Sequence, residues 1–154
     1  MQTVSMKKAE LNKGFTLMEI LVVIGIIAIL AAIVIVAINP SRQFAQARNA
    51  QRESNVSTIL NAIGQNIADN KGTFECGSIT IGSASSSIGT SGKDLGTCLV
   101  PTYIPSSIPF DPDGGTDAVT GYEVSKDSLG RYTVCAPKHD EAAIPGTVAY
   151  CLTR

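Results

Sequence analysis

The chain has 154 residues, 44% of them apolar, and a formal charge of −1, which fits one modest domain plus an attached segment. The apolar residues are concentrated in the first 40 positions, while beyond Gly72 five Lys/Arg stand against nine Asp/Glu. That mildly acidic distal half lacks the basic footprint of a nucleic-acid binder, so no direct nucleic-acid binding is expected.

Residues 1 to 14 are polar, with Lys7, Lys8 and Lys13 against Glu10, and read as a targeting segment rather than structure. The next stretch contains nineteen residues, Ile20 to Ile38, with nothing more polar than Gly25. At about 1.5 Å per helical residue it reaches roughly 30 Å, the thickness of a bilayer core. Fourteen of the nineteen are Ile, Leu or Val, together worth roughly −6 kcal/mol of insertion free energy, so the run predicts a membrane-spanning helix. A secretory signal cut after Ala37 is the competing reading, but the run is longer than a signal core and Ile35 is a poor residue three positions before the cut. Lysines before the span and Arg42, Arg48 and Arg52 after it leave the positive-inside bias near balance. Gly25, Ala28, Ala31 and Ala32 recur at three- and four-residue spacings that let a second helix approach closely. At the head of the run sits a carboxylate, Glu19, which a plain anchor does not need.

Gly14-Phe15-Thr16-Leu17-Met18-Glu19 followed by this run resembles the type IV prepilins and the pseudopilins of type II secretion and competence systems. The resemblance implies that a prepilin peptidase cuts between Gly14 and Phe15 and methylates the new Phe15 amine. Glu19 then lies on the same helix as that amine, and two charges in an apolar setting are tolerable only if paired. Pairing between Glu19 of one subunit and Phe15 of another would set the register of a filament, as a single polar residue does in a coiled coil. An intramolecular pair, or a protonated Glu19 at the lipid interface, is the alternative. The resemblance further implies copies of the same chain, minor pilins, the membrane assembly platform and, before assembly, the lipid bilayer as partners, with no cofactor. It places the chain as a single-pass protein of the cytoplasmic membrane, head outside, then in an extracellular pilus or in a periplasmic or wall-spanning pseudopilus. Pilus, secretion and competence roles stay open, as does a surface or adhesion protein that never polymerises. Many pilins carry the helix-distorting Pro about four residues earlier than Pro40, where this chain has Val36. Asn39-Pro40 still marks a kink or local unwinding.

Past Pro40, Val56, Ile59, Leu60, Ile63 and Ile67 form a narrow stripe at helical spacing, predicting an amphipathic helix over residues 40 to 71 that lies on the following sheet. Arg48 and Arg52, one turn apart, suit either acidic patches of a next subunit or a solvated face, and the solvated face is the expectation. Asp69-Asn70-Lys71-Gly72 supplies the stop, with Gly72 at C′. Were the two helical halves nearly continuous, they would make one spine of about 80 Å. Residues 72 to 154 form a globular head. Short strands are expected at Ser78 to Ile81, Gly121 to Ser125, Arg131 to Ala136 and Thr147 to Leu152, and a flexible loop at Ser83 to Lys93.

Cys76, Cys98, Cys135 and Cys151 all lie in the head, an even count that reads as two disulfides in an oxidising compartment. Four cysteines allow three pairings. If the last two strands pair antiparallel, Cys135 faces Cys151, leaving Cys76 to Cys98. Zinc is the rival use, but no close CxxC pair is present. Asp111, Asp113 and Asp117 alternate around glycines, which suits either a calcium loop or an acidic turn, and some pseudopilins bind calcium in a late loop. His139, beside Asp140 and Glu141, reads as a solvated loop residue, and no nucleophile elbow or phosphate-binding glycine motif accompanies it, so no enzymatic activity is expected. The fold class that follows is α+β: a long N-terminal helix with membrane and amphipathic halves, and a small disulfide-stapled antiparallel sheet.

Overall fold

A computed structural model describes residues 14 to 154. The expected leader, apart from Gly14, therefore lies outside the described residues. The chain divides after Pro40 into two units.

The first unit holds helix α1, Leu17–Ala37. Its aliphatic residues contain no proline, so every interior amide has a carbonyl four residues back. None of its residues is buried; at 21 residues it is long and apolar enough to cross a membrane. Ile38 turns extended, its N–H still bonded to the Val34 carbonyl. Helix α2 then starts at Pro40, the first helical position, where a missing N–H costs nothing. The helical path is interrupted at Ile38 and Asn39.

The second unit is built on α2, Pro40–Asp69. Val56, Ile59, Leu60 and Ile63 are buried and Ile67 packs against them, so the expected stripe is the core side of this helix. The buried face continues toward the N-terminus through Ala45, Asn49, Arg52 and Asn55. The stop differs by one residue from the expectation. The Gly72 N–H bonds the Ile67 carbonyl at 2.8 Å, which places Lys71 at C′ in the left-handed region, φ 57°, with Gly72 after it.

Four strands follow: β1 (Ser86–Ser87), β2 (Glu123–Lys126), β3 (Tyr132–Ala136) and β4 (Tyr150–Thr153). They form one antiparallel sheet in the order β1-β2-β3-β4. Val124, Tyr132, Val134 and Ala136 turn one face of the sheet into the same core as the α2 stripe, and the fold is α+β. Two expectations fail. Ser78 to Ile81 is not a strand: Ile79 donates to the Cys76 carbonyl in a turn, and Ile81 is buried without a strand partner. Ser83 to Lys93 is not a featureless loop, because it carries β1 and the buried Ile88, whose N–H bonds the Tyr122 carbonyl. A short helix α3, Gly96–Leu99, was not foreseen.

Cys135 and Cys151 are directly opposed across β3 and β4, with Cα atoms 4.1 Å apart, and are disulfide-bonded. Thr133 and Thr153 share that face and hydrogen-bond at 2.8 Å, so this disulfide lies away from the core. Cys76 is bonded to Cys98, and Cys76 is part of the core itself. No cysteine is free, which removes thiolate zinc ligation.

Candidate functional site at the head of the apolar helix

Gly14, Phe15 and Thr16 run in extended or irregular backbone into α1. Thr16 is the N-cap, and its hydroxyl accepts the Glu19 N–H at 3.2 Å. In return the Glu19 carboxylate accepts the Thr16 backbone N–H and hydroxyl, each at 2.9 Å. This is a reciprocal capping box, satisfying donors at a helix start that lack intrahelical partners. An acid in the first turn also suits the positive end of the helix dipole. Phe15 is 85% exposed. Glu19 is thus hydrogen-bonded within its own chain, to Thr16. Thr16 was missed in the sequence, although Thr-x-x-Glu before an apolar run is a readable capping signal.

Residues 11–35 match the family described as the prokaryotic N-terminal methylation motif. The chain carries the signature of type IV pilins and pseudopilins. No curated protein and no solved structure matches it. The motif encloses Gly14, Phe15 and Glu19 and most of α1, the helix long and apolar enough to cross a membrane.

The head carries a second constellation, on the polar end of the buried α2 face. Arg52 is not solvated. Its side chain is 1% exposed; Nε and Nη2 donate to Asp111 at 2.7 and 3.0 Å, and Nη1 donates to Glu141 at 2.5 Å and Asn49 at 2.9 Å. Arg48 clamps Glu141 from one turn away through Nε and Nη2, at 2.7 and 2.8 Å. The Asn55 amide donates to the Tyr122 hydroxyl at 2.8 Å. These residues fall at helical spacing with the apolar stripe, the signal that could have found them. The bond from Arg48, then that from Arg52, hold the Glu141 carboxyl down at about 2, while the Asp111 bonds push the Arg52 guanidinium still higher. The backbone closes tightly round Asp111: a Cβ on Gly121 (φ +86°) would stand 2.7 Å from the Asp111 Cβ.

Both Asp111 oxygens are thus committed to Arg52, while Asp113 and Asp117 are exposed on the loop beyond. Among the described residues no three His, Cys, Asp or Glu side chains are placed to hold a metal ion. His139 is also not solvated: its ring meets the Val148 carbonyl at 3.0 Å and Glu53 at 3.1 Å. These contacts tie the loop inside the Cys135–Cys151 bridge to α2.

Proposed function

We propose that this chain is a structural subunit of a type IV pilus-like filament. It inserts in the cytoplasmic membrane through α1 with the head outside, prepilin peptidase cuts between Gly14 and Phe15, and the Phe15 amine is methylated. Packing of α1 helices on the assembly platform, alongside minor pilins, then builds the filament. Glu19 of one subunit neutralises the Phe15 amine of another and sets the register. The observation that carries this reading is the motif over residues 11–35 on a helix none of whose residues its own chain covers.

The test has two parts. Intact mass of the purified chain should show residues 1 to 14 removed and one methyl group on Phe15; a chain that keeps them overturns the reading. Glu19→Val should leave insertion and cleavage intact and abolish filaments seen by electron microscopy, whereas normal filaments from that variant would refute the register role. Loss of motility, secretion or DNA uptake in cells lacking the subunit distinguishes a surface pilus from a secretion or competence pseudopilus.

A further inference from the structure

The head carries an acid-lined cleft and, elsewhere on its surface, an exposed apolar side chain on a turn flanked by cations. The first is a cleft of about 290 Å³ whose lining includes the apolar Ile88, Leu95 and Ile108 and the carboxylates of Asp94 and Asp117; no Lys or Arg lines it. At this volume it lies at or below the small end of ligand pockets, roughly 300–1,000 Å³, and suits a protruding side chain better than a large molecule. It is braced by backbone bonds. Thr90 and Ser91 donate to the carbonyls of Asp117 and Ala118, and Thr120 donates to Ile88 through both its N–H and its hydroxyl.

The second feature is the turn between β2 and β3. The Asp127 carboxylate accepts the N–H groups of Leu129 and Arg131, each at 2.9 Å, and the Arg131 Nε at 2.7 Å, while Gly130 takes the left-handed backbone that closes the turn. This rigid turn presents an apolar side chain, Leu129, at 77% exposure. Arg131, 59% exposed beyond its pair with Asp127, and Lys126, whose ammonium stands 5.1 Å over the Tyr132 ring, flank it.

The cleft and the knob lie at opposite ends of β2. Ile88 and Thr120 precede its start at Glu123, and Leu129 follows its end at Lys126. Thr120 to Lys126 is about 20 Å of extended chain. The turn of one head therefore does not reach that head's own cleft. We infer that Leu129 of one copy seats in the cleft of the next, with Lys126 and Arg131 facing Asp94 and Asp117. The two surfaces are different, so the contact is head-to-tail; such an interface propagates rather than closing into a dimer. The inference rests on the filament reading and names the head contact within it.

The experiment uses the full-length chain in cells. Native cysteines are all paired, so Leu129→Cys with Ser107→Cys, at the lining of the cleft, introduces two free thiols. Under oxidation the double variant should give a ladder of covalent multimers on non-reducing gels and neither single variant should; monomer alone, or a crosslink only to another protein, overturns the inference. Leu129→Asp sets a third carboxylate against two and should lower filament yield about tenfold or more, with the melting midpoint unchanged because Leu129 is exposed. Adding Asp117→Lys should restore the yield. Unchanged filaments from Leu129→Asp refute the head contact and leave the filament reading standing. A wild-type chain with its leader attached and no filaments refutes that reading instead, and the presence or absence of the ladder then decides the contact.

Discussion

Arg52 sits on α2 with its guanidinium divided between carboxylates 59 and 89 residues further along the chain. Desolvating three charges consumes most of what their attraction returns, so the cluster is a device for holding two loops in place more than a net source of stability. Breaking it is a different matter. Arg52→Met leaves Asp111 buried without its cation and should cost roughly 3–5 kcal/mol, read as a fall in the urea midpoint of the chain. Arg52→Lys should recover only part of this, because an ammonium cannot bond both Asp111 oxygens as a planar fork does. Glu141 makes the cluster pH-dependent. Its carboxyl is held at about 2 against an ordinary value of 4.5, so its stabilising share is complete above 4.5 and is lost as pH falls toward and through 2. A series of urea midpoints on acidification should therefore decline less steeply in Glu141→Gln than in the wild type over that interval. Little of this was legible beforehand. An arginine in a helix defaults to solvent, and only the spacing of Ala45, Asn49, Arg52 and Asn55 in phase with Val56 and Ile59 identifies that face as buried. Its partner acids lie in loops whose course periodicity does not encode.

Among the elements, α1 and the C-terminal part of α2 follow directly from apolar spacing, and β3 and β4 from alternation that also sets Cys135 opposite Cys151. The harder pieces have few residues and owe their conformation to partners. β1 has two residues and exists because β2 and Thr120 take its neighbouring backbone bonds; Ser78 to Ile81 has the apolar alternation of a strand but no pairing edge. The end of α2 shows how local chemistry shifts by one position. Lys71, not glycine, occupies the left-handed site, at a cost for an L side chain that glycine avoids. Lys71→Gly should raise stability by about 0.5–1 kcal/mol, the balance of relieved backbone strain against greater unfolded-state freedom. A rise in thermal midpoint with an unchanged circular dichroism spectrum is the expected reading.

At the scale of the molecule, the buried residues described all lie from Ala45 onward, and both disulfides are in the second unit. Residues 41 to 154 expressed alone should accordingly remain in solution without detergent and unfold in one transition near the midpoint of the full-length chain in micelles. Aggregation or a broad, non-cooperative melt would show that α1 is needed to complete the fold. The capping box adds an orienting point for the proposed assembly. Both Thr16 donors go to one Glu19 oxygen, Oε2, and neither donor carries a charge, so the carboxylate is held in a fixed direction with its negative charge still to be met. A neighbour's amine would then meet an acceptor already aimed by its own helix, and the proposed pairing would not first have to order the Glu19 side chain.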